Sequence, residues 1–324
     1  MNTCRIGIVA ASSVVPMVEL GLGVQRMRES GLDVSVHEHC AGREFLFAGS
    51  DQQRAESLYE YATSPEIDIV WCARGGYGAT RLLPLLAQMT ADRGVPRKKL
   101  LVGYSDVTAL HEFVRERWGW WTLHATMPGA LNFGEIRPEQ WNQTVALVKR
   151  QSVPVSFAGL RFLGQSPDRA IEARLTGGNL TLWAAIAGTP YQPSGAGKIV
   201  FFEEVDEAWY RVDRMLTQIE QAGMLRGAKA IVLGDFKNCH DECVMVLKEA
   251  GGAGKTELRR CYPDAEAMEL IFVPLSKKLG LSIALGLPAG HGPNFAPLPL
   301  GAEYSLDPSG ALVMKSWEWA ERQG

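Results

Sequence analysis

Apolar positions in the first third of the chain fall into short continuous runs, separated by longer stretches in which they recur every three or four residues. Runs at 5–11, 33–37, 67–73 and 99–103 have the length and bulk of buried strands, while 17–30, 51–63 and 80–89 carry the one-sided spacing of helices packed on a sheet. Strands and helices alternating in this way build a doubly wound domain around a parallel sheet. Ligands of such sheets bind beyond the carboxyl ends of the strands, so the residues just after Ala73 and Gly103 are where chemistry is expected.

The pattern weakens after Phe133. Pro138, Pro154, Gly159, Gly164 and Pro167 interrupt it, and only 141–149 keeps a helical period. We therefore read 1–135 as an N-terminal domain, 136–169 as a linker or crossover, and 170–324 as a second, smaller α/β domain. In that second unit, strands are expected at 170–175, 198–203, 228–234 and 283–287, with helices from Leu180 and over 210–222. A Gly/Pro loop at 288–299 precedes a hairpin around Pro308-Ser309-Gly310. The sequence contains no internal repeat and no low-complexity tract.

Composition narrows the partner. A chain of 324 residues that is 46% hydrophobic has material for two cores. Its 33 basic residues nearly cancel its 36 acidic ones, so no long-range field draws it to nucleic acid or an anionic membrane. A small neutral or zwitterionic partner fits better. The first residues enter an apolar strand without the pattern of a signal peptide, and no run approaches the roughly 20 apolar residues of a membrane span, which points to the cytoplasm. Six scattered cysteines suit reduced thiols better than a disulfide framework.

The strongest chemical signal lies at Gly103-Tyr104-Ser105-Asp106, where a buried strand turns sharply into a helix. A serine there presents its hydroxyl above the sheet edge, beside the free amides of the helix's first turn. The plainer reading is that Ser105-Asp106 caps the helix. Val107 stands where a Gly-x-Ser-x-Gly elbow would need its last glycine, which excludes the α/β-hydrolase pattern. Arg74-Gly75-Gly76-Tyr77-Gly78 follows the preceding strand and forms either a tight β-α turn or a cradle of amides for an oxyanion or phosphate. Both turns should open on one crevice.

A serine nucleophile needs a base and a group that orients the base. Of the six histidines, His37, His39, His111 and His240 read as surface or core residues. His124 ends a tryptophan-rich strand and could face the crevice. His291, flanked by Gly290 and Gly292 on a chain held by prolines, is the better base. Glu203 and Glu204 end an apolar strand, and because successive strand residues face opposite sides, only one of them can point at the imidazole. The residues alone leave that choice open.

Several segments taken together resemble the LD-carboxypeptidase family of serine peptidases, which also includes the microcin C self-immunity peptidases. They comprise residues 6–12, Phe47-Ala48-Gly49-Ser50-Asp51 with Arg54, the Arg74 to Gly78 turn with Arg81-Leu82-Leu83-Pro84, and the Ser105 turn. The match continues through Leu175-Thr176-Gly177-Gly178-Asn179-Leu180, Phe202-Glu203-Glu204-Val205 with Tyr210 to Leu216, and Gly286-Leu287-Pro288-Ala289-Gly290-His291. The resemblance implies a flavodoxin-like N-terminal domain carrying the serine and a C-terminal α/β domain carrying acid and base. It assigns the triad to Ser105, Glu203 and His291, and the oxyanion hole to the backbone amides of Gly76 and Asp106. It also implies a homodimer that uses no metal and no cofactor.

The implied activity is removal of the terminal D-alanine from cytoplasmic murein tetrapeptides, a step of peptidoglycan recycling. The sibling activity, cleavage of peptidyl or aminoacyl nucleotides, would use tryptophans to stack an adenine, but Trp118, Trp120, Trp121 and Trp183 read equally as core. A non-catalytic protein holding a small anion between the two glycine turns is the reading from another class. Arg74, Arg211 and Arg214 are candidates for a substrate carboxylate, although salt bridges are the simpler role for each.

The chain departs from the family pattern in two places and carries two motifs that mislead. The stretch 238–270 is longer than in compact family members, and Ala11-Ser12-Ser13 stands where the family usually has a proline before the serine. Gly251-Gly252-Ala253-Gly254-Lys255-Thr256 ends like a phosphate loop, but Glu249 occupies the place of its first glycine and the residues before it look helical. Cys239, His240, Cys243 and Cys261 match no familiar zinc spacing, so a flexible surface segment is expected there.

Overall fold

The computed structural model describes residues 4–247, 255–260, 264–293 and 295–321. Strands β1 (Arg5–Val9), β2 (Asp33–Val36), β3 (Ile69–Cys72), β4 (Leu100–Gly103) and β5 (Trp121–His124) pair in parallel in the order β2-β1-β3-β4-β5. This is the flavodoxin-like order. Every residue of β3, β4 and β5 is buried, as an apolar run covered by helices on both faces requires.

Helices α1 (Met17–Glu29), α2 (Asp51–Thr63), α3 (Leu83–Arg93) and α4 (Thr108–Trp118) connect these strands. A capping box of Ser50 and Gln53 starts α2 at its expected first residue. The helix expected from Thr80 instead begins as a tight turn at Ala79–Leu82, and α3 starts around Pro84, whose missing N–H suits a first helical turn.

The segment 136–169 holds more than a connection. It contains α5 (Pro138–Val148) and two short strands, β6 (Ser156–Phe157) and β7 (Arg161–Leu163), that occupy opposite edges of the second sheet. The chain then forms β8 (Ile171–Asn179), α6 (Leu180–Ala185), β9 (Ile199–Val205), α7 (Trp209–Gln221) and β10 (Ala230–Lys237). Strands β11 (Glu242–Leu247) and β12 (Lys255–Arg260) follow, then α8 (Asp264–Leu279), β13 (Ser282–Leu285), β14 (Leu298–Leu300), β15 (Glu303–Leu306), β16 (Leu312–Ser316) and α9 (Glu318–Glu321). The second sheet runs β6-β16-β15-β8-β9-β10-β13-β7, parallel at its centre and antiparallel at both ends.

One strand crosses between the domains. β14 pairs antiparallel with β5, so the C-terminal part of the chain closes an edge of the first sheet. A single apolar cluster continues from Ile8 and Trp71 through Leu123 and Leu298 to Phe201 and Tyr304. The C-terminal ends of β4 and β9, which carry the candidate serine and glutamate, are thereby held on one packed body.

The stretch before Gly251 departs from its expected helix. Residues 242–247 pair antiparallel with 255–260 as a separate two-stranded hairpin, in keeping with the β-branched valines at 244 and 246. Gly251, Gly252, Ala253, Gly254 and Cys261 lie outside the described residues. No helix among the described residues is long and apolar enough to cross a membrane.

Candidate active site

Ser105 sits where β4 gives way to α4, at φ 62°, in the left-handed region that a residue with a Cβ rarely adopts. Such a conformation costs on the order of 1–3 kcal/mol and survives only where the surroundings enforce it. Gly103 makes the bend possible, since a Cβ there would lie 2.8 Å from Val107 Cγ1. Neither the turn nor α4 has a side-chain cap, so the capping reading of Ser105-Asp106 does not hold. Asp106 instead turns its carboxylate to the glycine-rich turn, where Oδ2 accepts the Ala79 amide at 2.8 Å.

The two turns do meet. A Cβ on Gly75 would stand 3.1 Å from Ser105 Cβ and 3.2 Å from its Oγ, so only glycine allows the backbone this close to the hydroxyl. Gly76 follows at φ 105°. From behind, the fully buried Arg54 donates to Ala11 O at 2.6 Å, Gly78 O at 3.0 Å and Gly49 O at 3.3 Å, and pairs with Asp51. Burial lowers its pKa most, against the opposing pull of Asp51.

On the facing domain, Glu203 Oε2 lies 2.7 Å from His291 Nδ1. Strand alternation sends Glu204 the other way, where it accepts from Asn179 Nδ2 at 2.9 Å and from the Thr181 amide and hydroxyl, each at 2.8 Å. Burial pushes the imidazole pKa down, but the Glu203 charge and hydrogen bond outweigh it, and the net shift is upward. Burial likewise works against the Glu203 carboxylate, yet the His291 charge and hydrogen bond bring its pKa below the ordinary value. Each group therefore favours the charged form of the other.

The loop carrying His291 is fitted against two carboxylates. Gly290, at φ 129°, packs so closely that a Cβ would lie 2.9 Å from both Glu203 Cβ and Glu203 Oε2. Gly292 donates its amide to Asp235 Oδ2 at 3.1 Å. Burial raises the Asp235 pKa to about 6, and the nearby Glu203 charge adds to that. Asp235 escaped the sequence reading because it lies inside an otherwise ordinary apolar strand, followed by Phe236.

Tyr104, the residue before Ser105, has its ring centroid 4.9 Å from that of the imidazole. Ser105 Oγ and His291 are not hydrogen-bonded in this structure, and the imidazole Nε2 makes no hydrogen bond among the described residues. Serine and base in unliganded sites are often separated until substrate arrives. Beside the imidazole opens a cavity of about 280 Å³, bordered by Tyr104, Asn132, Glu135, Lys237, His291 and Phe295.

Other sequence candidates lie apart from this arrangement. His124 is fully buried among Tyr104, Phe201 and Phe295, and burial lowers its pKa to about 4. Arg74 donates to Val14 O at 2.7 Å, Arg211 binds Tyr210 and Glu207, and Arg214 lies over Tyr210. Trp118, Trp120, Trp121 and Trp183 are all buried.

Comparison with known proteins decides the family. The sequence model for the LD-carboxypeptidase N-terminal domain matches residues 6–125, and that for the LD-carboxypeptidase C-terminal domain matches residues 172–306. The chain belongs to the LD-carboxypeptidase family. It is thus an enzyme, a hydrolase of the serine carboxypeptidase type. Among relatives, the murein tetrapeptide carboxypeptidase of Pseudomonas aeruginosa is 29% identical over 312 residues, covering 94% of this chain and 93% of that protein. The microcin C7 self-immunity protein MccF of Escherichia coli is 23% identical over 248 residues, 65% of this chain and 69% of that protein. The crystal structure of muramoyltetrapeptide carboxypeptidase from Oxalobacter formigenes superposes with a TM-score of 0.75 at 29% identity, covering 97% of this chain and 99% of that one. The LD-carboxypeptidase fold therefore extends over nearly the whole chain.

Proposed function

We propose that this LD-carboxypeptidase hydrolyses the amide bond to the terminal D-alanine of murein tetrapeptides in the cytoplasm, as a homodimer. The observation that carries the mechanism is the 2.7 Å Glu203–His291 pair, whose imidazole packs on Tyr104, the residue before the strained Ser105. Ser105 Oγ attacks the scissile carbonyl carbon and gives its proton to His291 Nε2. Glu203 holds the Nδ1 proton and favours the imidazolium. The amides of Gly76 and Asp106 stabilise the oxyanion. The C–N bond then breaks as His291 returns the proton to the leaving nitrogen, and water activated by the same imidazole releases the acyl group from Ser105.

The choice of substrate is supported by the murein carboxypeptidase relative, which aligns over 94% of the chain, against 65% for the microcin immunity protein. Burial of the four tryptophans also removes the aromatic surface that an adenine would need from them. A cytoplasmic site agrees with free thiols at Cys4, Cys40, Cys72 and Cys239. The homodimer rests on the family resemblance and is read out by light scattering.

The deciding experiment incubates the protein with murein tetrapeptide and, separately, with a peptidyl nucleotide, following product masses with Ser105→Ala as the control. Loss of one alanine from the tetrapeptide, abolished by Ser105→Ala, is expected. Cleavage of the nucleotide alone would move the enzyme to the immunity branch.

A further inference from the structure

In the mechanism above, His291 protonates the leaving nitrogen, so the departing residue must occupy the space beside the imidazole. That space is the cavity of about 280 Å³ bordered by Tyr104, Asn132, Glu135, Lys237, His291 and Phe295. A carboxypeptidase has to recognise a terminal carboxylate there, and none of the arginines singled out in the sequence borders it.

Lys237 does. It is the last residue of β10, after a register shift between Leu233 and Phe236. Phe236 turns inward to stack on Trp209 and meet Phe272, so the alternation of the strand puts Asp235 and Lys237 together on the opposite face. Asp235 on that face accepts the Gly292 amide, which places Lys237 beside the His291 loop. Its charge acts on both His291 and Asp235. Among the described residues that border the cavity, Lys237 is the one lysine or arginine, and its Nζ has neither a hydrogen bond nor an ion pair among the described residues.

We propose that Lys237 anchors the free carboxylate of the residue that is released. The assignment rests on the proposed role of His291 and identifies what makes the enzyme act at a chain terminus. A lysine ammonium suits this task, because it is a compact charge on a flexible stem that follows a small leaving residue into place. Asn132, also at the cavity wall, has its Nδ2 free to donate to the same group, while its Oδ1 accepts from the Tyr104 hydroxyl at 3.5 Å.

The test compares murein tetrapeptide ending in a free carboxylate with the same peptide ending in a carboxamide, using wild type, Lys237→Met and Lys237→Arg. Wild type should prefer the acid by about ten- to hundredfold in kcat/KM, the scale of one charge-assisted hydrogen bond. Lys237→Met should lose that preference by raising KM for the acid while leaving the amide unchanged, and Lys237→Arg should restore part of it. Equal losses on both peptides, or an unchanged preference, overturn the assignment while the substrate reading stands. Absence of wild-type turnover on the acid overturns the substrate reading and this assignment with it.

Discussion

Asp106 Oδ2 accepts the Ala79 amide at 2.8 Å, which ties the turn bearing Ser105 to the glycine-rich turn beside it. Asp106 is therefore a brace between two loops from different strands, with its backbone amide on one side of the crevice and its carboxylate buried behind. Asp106→Ala leaves the Ala79 N–H without a partner in a dry setting, at a cost of about 1–3 kcal/mol. We expect a lower midpoint in urea unfolding together with a drop in kcat, since the Gly75-Gly76 turn loses its fixed distance from Ser105. Unchanged kcat in a folded variant would show that the brace does not set the geometry of the turn.

Ser105 combines a left-handed backbone with the proposed nucleophile, so stability and activity should part company there. Ser105→Gly removes the conformational penalty at φ 62° and adds back about 0.5–1 kcal/mol of chain entropy. The expected result is an unfolding free energy between that of wild type and about 2.5 kcal/mol higher, with turnover reduced by several orders of magnitude. Calorimetry and a tetrapeptide assay on the same preparation check both halves.

The 290 loop offers a more surgical perturbation. An alanine at Gly290 puts a methyl group 2.9 Å from Glu203 Oε2 and asks for φ 129° from a residue with a Cβ. The loop must shift, and a displacement of about 1 Å at a catalytic group costs roughly a hundredfold in rate. Gly290→Ala should lower kcat on that scale with far-UV dichroism unchanged. Retained kcat would mean that the Glu203–His291 distance is not what the close packing protects.

The parallel strands were legible because burial on both faces writes itself as unbroken apolar runs, whereas the Ser105 turn could be told from an ordinary helix cap only through the family resemblance. Strands of two or three residues such as β6, β7 and β14 carry too little pattern to register, and their partners lie far away in sequence. From the residues themselves, Glu203 and Glu204 could be separated only by knowing which face of β9 looks toward residue 291, a tertiary fact, so the choice of Glu203 came from the family resemblance. Asp235 and Lys237 were hidden for the same reason, since a charged residue ending a strand is ordinary until its neighbours are known.

The ion pair between Glu203 and His291 makes opposite demands on activity and stability as pH changes. The base must be neutral to accept the Ser105 proton, and its folded pKa is raised, so kcat/KM should begin to fall on acidification above the ordinary imidazole value of about 6.5. In Glu203→Gln the attraction is gone and burial, which disfavours the imidazolium, remains. The acid limb should then move to lower pH as the rate drops. Stability follows from the same shifts. A raised histidine contributes stability that is complete below about 6.5 and is lost as pH rises through its folded value, while a depressed glutamate contributes stability present above about 4.3 and lost as pH falls through its folded value. The pair therefore stabilises the fold most between about pH 4.3 and 6.5, where the enzyme is losing activity. The difference in unfolding free energy between wild type and Glu203→Gln should be largest in that window and shrink above it. A difference that grows steadily toward alkaline pH would mean that the imidazole is not the partner that Glu203 stabilises.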